Sequence, residues 1–200
     1  MLIDGHSLVH RAFHALPTMT TSTGIHTNAV YGFATMLNRL LDDEKPDYTI
    51  VAFDCAAPTF RHEAFADYKA TRPPMPDELR MQMPLVQELV TANNIGTCEL
   101  EGYEADDILG TLARQAREAG CSVVIVTGDK DALQLVRPGV EVLFTRRGIT
   151  QMDRFDTALV KEEMGVLPTQ VPDWKALVGD KSDNIPGVAG IGAKTATKLL

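Results

Sequence analysis

Continuous apolar runs of strand length recur along the chain. Residues 49–53 (TIVAF) and 122–127 (SVVIVT) are two of them. Such runs suit parallel strands buried on both faces. Residues 1–3 (MLI) read as the end of a third strand, residues 140–144 (VEVLF) as a fourth, and GTCEL at 96–100 is strand-like. Helical periodicity fills the intervals. Val30, Phe33, Ala34, Leu37, Leu40 and Leu41 share one face of a helix that Thr27 or Asn28 can cap. A second helix is predicted over 76–91, with Pro84 as a kink. A third spans 104–119 through Ala105, Ile108, Leu109, Leu112, Ala113 and Ala116, and stops at Gly120. Strand and helix in alternation predict an α/β fold: a mostly parallel central sheet flanked by helices.

The residues that follow these strands change the picture. The first strand runs into Asp4, the second into Asp54, and SVVIVT into Asp129 and then Asp131. The carboxyl ends of parallel strands share one edge, where ligands bind. A single aspartate after a strand is usually a turn or helix cap. Three strands with the same ending are poorly explained that way. GYEADD then places Glu104, Asp106 and Asp107 in the first turn of the third helix, and GDKSDN adds Asp180 and Asp183. Glu104 and Asp107 are neighbours at i and i+3, and Asp106 is expected to point aside, toward a second ion. Nine carboxylates in one cleft repel by several kcal/mol even at an effective dielectric near ~20. Cations must sit among them. All-oxygen ligation with no zinc-type His or Cys spacing points to Mg²⁺ or Mn²⁺. More ligands than one ion needs points to two ions, the arrangement used for in-line displacement at phosphorus.

Composition bounds this reading without deciding it. The 200 residues are 44% hydrophobic and 23% charged, enough for one domain or a domain with an appendage. No apolar run is long enough to span a bilayer, and the start lacks a basic signal-peptide n-region. Cys55, Cys98 and Cys121 are scattered and read as reduced thiols of a cytoplasmic protein. A net charge of −8 argues against a simple nucleic-acid binder but not against an enzyme whose acids hold metal. An acidic cleft that takes a polyanion also needs cations. The connection after Asp54 offers Arg61, His62, Lys69, Arg72 and Arg80 with Phe60, Phe65 and Tyr68 interleaved. It reads as a surface loop or as a lid whose cations meet phosphates and whose aromatics stack on bases; its departure from the metal edge favours the lid. Near the end, IPGVAGIGAKTATKLL is neither a Walker loop nor a dinucleotide fingerprint. Gly187, Gly190 and Gly192 look like a hairpin opening a helix whose amides, with Lys194 and Lys198, could hold a phosphate; alone the motif would be a turn.

LIDGHSLVHRAFHALP, TNAVYGF, VAFD, DYKATRPPMP, GYEADD, VTGDKD and GDKSDNIPGVAGIGAKTA occur in this order. Together they resemble the 5′-nuclease domains of the bacterial DNA polymerase I type, in the flap endonuclease family. The resemblance covers essentially the whole chain. It implies a PIN-like nuclease core over 1–165, with a helical arch at about 58–84, and the start of a helix-three-turn-helix over 166–200. It implies a metal-dependent 5′-3′ exonuclease and flap endonuclease acting in replication and repair on DNA with a 5′ flap or 5′ end and on RNA primer–DNA hybrids. The implied metal ligands are Asp4, Asp54, Glu104, Asp106, Asp107, Asp129, Asp131, Asp180 and Asp183, for two or more Mg²⁺ or Mn²⁺. Lys69 and Arg72 are implied as catalytic grips on the scissile phosphate, beside Asp4 and Asp129. His10, Arg61, Tyr68, Gly187, Gly190, Gly192, Lys194 and Lys198 are implied as DNA contacts, with K⁺ at the glycine hairpin. A monomer in the bacterial cytoplasm, off the membrane and fused to a polymerase, completes the expectation.

Three features depart from the family pattern. His10 stands where a base-stacking tyrosine is common, and imidazole offers less stacking area. The first strand has only three residues before Asp4, and the chain stops at Leu200 inside the helix after the hairpin, as expected of a fragment or a short form. Three other readings compete with this one. A phosphatase of the haloacid dehalogenase type needs a nucleophilic Asp-x-Asp after its first strand, and DGH has no second aspartate. PIN-type RNases are usually smaller and lack the arch and the glycine hairpin. A non-catalytic DNA-structure-binding module would keep the acids for folding alone.

Overall fold

The structure is a computed structural model that describes residues 1–146 and 148–200. Six strands form one sheet: β1 (Leu2–Asp4), β2 (Ile50–Ala52), β3 (Gly96–Cys98), β4 (Val123–Thr127), β5 (Val140–Thr145) and β6 (Met152–Phe155). Their order is β3-β2-β1-β4-β5-β6, parallel throughout except that β6 runs antiparallel to β5. The helices are α1 (Gly5–Ala15), α2 (Asn28–Glu44), α3 (Phe60–Ala64), α4 (Asp77–Arg80), α5 (Met83–Ala92), α6 (Ala105–Glu118), α7 (Thr157–Met164), α8 (Val171–Val178) and α9 (Ala193–Leu199).

Alternate strand residues feed two cores, as a pleated strand requires. Ile3, Val51, Phe53, Val126 and Leu143 pack on one face with α1, α2 and α5. Leu2, Ala52, Ile125, Val142 and Phe144 pack on the other with α6, α7 and the segment leading into α8. Both faces are covered, which is why the strands read as unbroken apolar runs. β6 escaped that reading. It is a short edge strand with Asp153 and Arg154 in its middle, paired only to β5.

Two local expectations are corrected. The helix predicted over 76–91 is two helices, α4 and α5, and Pro84 does not kink it. Proline falls in the first turn of α5, where a missing N–H costs nothing. Thr27 is the N-cap of α2 but makes no side-chain cap bond, and Asn28 lies inside the helix. The cap comes from Gln82, between α4 and α5. Its buried Oε1 accepts the N–H groups of Ala29 at 2.8 Å and Val30 at 3.2 Å, while Nε2 donates to Glu78 O and to Asn28 Oδ1. A buried amide is tolerable here because both ends are paired.

Candidate active site

The sheet edge gathers the carboxylates as the strand endings imply, and each is also used by the backbone around it. Asp4 ends β1 and caps α1: Oδ1 accepts the Ser7 N–H at 2.9 Å and Oδ2 accepts the Thr127 hydroxyl at 2.8 Å. Asp54 Oδ1 accepts the Ala105 N–H at 2.6 Å and so ties β2 to the start of α6. Asp129 Oδ1 accepts the Asp131 N–H at 2.9 Å. Capping and metal ligation are therefore not rival explanations for these aspartates.

Asp4, Asp54, Asp106 and Asp129 face one another across a cleft of about 1350 Å³. Burial pushes the Asp4 carboxyl up to about 6 against the pull of Ser7 and Thr127, and Asp54 and Asp129 push the same way. Asp106 is raised well above the carboxylate range, by burial and then by Asp4, Asp129, Asp131 and Asp54. Asp106 thus points into the cluster. The expectation that it turns aside is reversed: Asp107 does, and its side chain is not part of the cleft wall. Burial would raise Asp107, but a fork from Arg61 at 2.7 and 2.8 Å outweighs it and holds the carboxyl low. Asp107 Oδ2 also accepts the Glu104 N–H at 3.0 Å, closing a capping box at the start of α6. Glu104 stays at the cleft.

A second group lies beside the first. Ligand atoms of Asp131, Asp180 and Asp183 come within 4.8 Å of one another. Lys175, which the sequence did not single out, sets its ammonium against Asp131 and 2.5 Å from Asp180 Oδ2. It outweighs burial to hold Asp180 well below the carboxylate range. Asp131 Oδ1 is buried with the Lys175 ammonium against it. Three carboxylates sharing one ammonium keep an excess of negative charge, the electrostatic situation a divalent ion resolves.

The segment after Asp54 folds over this edge. Lys69 Nζ donates to Glu104 Oε1 at 2.8 Å, and Arg72 Nη2 to Asp183 Oδ1 at 2.6 Å. Tyr68 is 6% exposed, so it is not free to stack on a base as expected. Its hydroxyl lies 3.1 Å from both Glu104 Oε2 and Asp183 Oδ2 and donates to either carboxylate. Backbone contacts fix the same loop: Lys69 N–H to Asp183 O at 3.0 Å, Arg72 Nε to Ser182 O at 3.1 Å, and Asn184 Nδ2 to Asp67 O at 2.9 Å. Phe60 and Phe65 remain 46% and 40% exposed along the cleft.

Residues 1–165 match the family described as 5′-3′ exonuclease, N-terminal resolvase-like domain, and residues 166–200 match 5′-3′ exonuclease, C-terminal SAM fold. The chain belongs to the 5′-3′ exonuclease family. It is 53% identical over 200 residues to DNA polymerase I of Bacillus caldotenax, covering all of this chain and 23% of that protein. With DNA polymerase I of Mycobacterium leprae it shares 49% identity over 202 residues, again covering all of this chain and 22% of the relative. The chain thus spans about a quarter of the length of these relatives. In fold it is similar to the T5 5′-exonuclease solved with bound zinc (TM-score 0.79, 22% identity, covering all of this chain and 73% of that one). It is also similar to flap endonuclease-1 from Methanococcus jannaschii (TM-score 0.61, 19% identity, covering all of this chain and 69% of that one).

The remaining expected residues of this exonuclease-family chain fall in two places. His10 lines the cleft on α1, with Arg11 beside it. Arg11 was not foreseen. Its guanidinium is aimed by the carbonyls of Thr145 at 3.0 Å and Arg146 at 3.1 Å, a tertiary contact no local spacing reveals. Lys194 and Lys198 project from α9 beside Asp129, Asp131 and Asp180 in an adjoining cleft. The glycine hairpin before α9 is tight. Gly187 (φ 64°) lies against Gly179 (φ 84°), and a Cβ on Gly187 would come 2.5 Å from the Gly179 nitrogen. Gly190 (φ 80°) is also left-handed, and Gly192 is the N-cap of α9. Among the described residues no helix is long and apolar enough to cross a membrane.

Proposed function

We propose that this chain is a divalent-metal-dependent 5′ nuclease that hydrolyses phosphodiesters at 5′ ends and 5′ flaps. The observation that carries the reading is the pairing of an eight-carboxylate edge with a cationic loop folded directly over it. Asp131, Asp180 and Asp183, whose ligand atoms lie within 4.8 Å of one another, are assigned to one ion, and Asp4, Asp54, Asp106 and Asp129, which line the same cleft with Glu104, to a second. Asp107 serves through Arg61 and the α6 cap. When bound, paired Mg²⁺ or Mn²⁺ ions supply an activated water and stabilise the leaving oxygen.

The chain's own residues do the rest. Asp4 and Asp129, fixed by hydrogen bonds to α1 and to the turn after β4, hold their free lone pairs toward the cleft centre. Lys69 and Arg72, now paired with Glu104 and Asp183, are placed to exchange those partners for phosphate oxygens as ions neutralise the carboxylates. Arg61 stays forked on Asp107 and orients the lid. His10, Lys194, Lys198 and the amides around Gly187, Gly190 and Gly192 are assigned to duplex and end binding. The core occupies 1–165, with its arch at about 58–84, and the duplex-binding part begins at 166.

The relatives' name, DNA polymerase I, supports work on DNA beside a polymerase region; from there the reading extends to replication and repair, RNA primers among the substrates, a bacterial cytoplasmic setting, a monomeric nuclease unit and K⁺ at the hairpin. The test is a substrate panel in Mg²⁺: a 5′ flap, a recessed 5′ end, a 3′ flap and a single strand, each 5′-labelled. Cleavage confined to the first two supports the reading. Equal cleavage of 3′ flaps, or cleavage of single-stranded RNA alone, replaces it with another nuclease.

A further inference from the structure

His6, His10 and His14 recur every four residues along α1 and therefore share one face of the helix. All three line the cleft, while Leu8, Val9 and Ala12 on the opposite side are fully buried. His6 is already engaged: its Nδ1 accepts the Asp54 N–H at 3.1 Å, beside a proposed ligand of the carboxylate site. His10 and His14 instead face each other, with ring centroids 6.1 Å apart and planes inclined by 28°. Two imidazoles at i and i+4 can each place one nitrogen about 2.0–2.1 Å from a common ion, the usual zinc–imidazole bond length.

We propose that His10 and His14 form a two-imidazole site for a transition-metal ion of the Zn²⁺ class at the mouth of the cleft, separate from the carboxylate cluster. Nitrogen donors select borderline ions such as Zn²⁺, Co²⁺ and Ni²⁺, whereas carboxylates suit Mg²⁺ and Mn²⁺. The two sites therefore differ in the ion they take, with water completing the imidazole site. Local charge at His10 is divided: Asp54 adds negative potential, while His6, His14 and Arg72 add positive potential. Arg72 is itself paired with Asp183, and the Arg11 guanidinium is turned to the carbonyls of Thr145 and Arg146. Burial, ahead of any neighbouring charge, keeps the His10 ring neutral, the form that ligates. An ion there covers the ring of His10 and blocks the nucleic-acid end that the nuclease reading places against it. That consequence rests on the nuclease reading; the binding itself does not.

The experiment is a Zn²⁺ titration of the full chain in excess Mg²⁺, read by long-range ¹H–¹⁵N correlation of the histidine rings, which reports imidazole ligation whatever Zn²⁺ the carboxylates also take. His10 and His14 are expected to shift together and to saturate at one equivalent, with His26 and His62 as unchanged references. Calorimetry of His14→Gln, a substitution at an exposed position, is expected to show Zn²⁺ affinity at least tenfold weaker. Unmoved His10 and His14 resonances, a response led by His6, or parental affinity in His14→Gln would each overturn the site. Cleavage measured in parallel separates the two claims. A chain that binds Zn²⁺ through these rings but cuts nothing keeps the site and removes the nuclease reading.

Discussion

Lys69 donates its backbone N–H to the Asp183 carbonyl at 3.0 Å from a left-handed conformation, φ 57°. A non-glycine residue held there costs on the order of 1 kcal/mol, so surrounding contacts must enforce it. Those contacts aim the ammonium at Glu104, the N-cap of α6. The lid is thus stapled to the carboxylate edge at the residue expected to grip phosphate.

Lys69→Gly separates the two roles. It relieves the left-handed strain and keeps the N–H bond, but removes the ammonium. Single-turnover cleavage of a 5′ flap is expected to slow by about 10²-fold or more, the usual cost of one charge-stabilising donor, while KM changes only a few-fold. A loss confined to KM would assign Lys69 to ground-state binding.

Lys175 stands between Asp131 and Asp180 where a second ion would compete for the same oxygens. Lys175→Met is expected to lower the melting temperature in chelator, because two carboxylates lose their cation. It is also expected to bind Mn²⁺ more tightly at that position, read by Mn²⁺ EPR. Unchanged Mn²⁺ affinity would show that the ammonium and the ion do not share the niche.

Metal-free stability should fall as pH rises from about 4 to 6. Asp4 keeps its proton to about 6 in the fold, while an unfolded aspartate loses it near 3.8. Between those values the native state binds more protons, so unfolding becomes easier with pH. Asp106 moves the same way, and Asp107 and Asp180 the opposite way. The isolating comparison is Asp4→Asn against the parent in chelator. The variant should gain relative stability across this window, by about 3 kcal/mol at most, and saturating Mg²⁺ should abolish the gain. A pH-independent difference would mean Asp4 is ionised in the metal-free fold.

Gln82→Leu tests the internal cap of α2. It leaves the Ala29 and Val30 N–H groups without their buried acceptor, at an expected cost of about 2–4 kcal/mol in urea unfolding. A near-neutral result would mean water replaces the amide.

What could be read from the sequence follows from how local each feature is. β2 and β4 announced themselves because burial leaves their runs apolar, whereas Glu141 interrupts β5 and β3 is a short, mostly exposed strand. Asp4, Asp54 and Asp129 were visible because each ends a strand or stands two positions beyond its last residue. β6 was invisible because an edge strand tolerates Asp153 and Arg154. Gln82, Arg11 and Lys175 were missed for a different reason. Each acts across tens of residues or through a lone side chain, so no spacing marks it. The opposed directions of Asp106 and Asp107 depended on Arg61, 46 residues away from Asp107.

The central claim is that the carboxylate edge cuts phosphodiesters through divalent ions. Its most direct test is 5′-flap cleavage by the parent and by Asp129→Asn, each in Mg²⁺ and in excess chelator, with matched thermal melts. Asparagine retains an oxygen for the Asp131 N–H, so the variant should melt at or above the parent in chelator, gain less from Mg²⁺ and cleave at least about 10²-fold more slowly. The parent should cleave only in Mg²⁺. Full turnover by the parent in chelator, or parental cleavage by Asp129→Asn, would contradict the account.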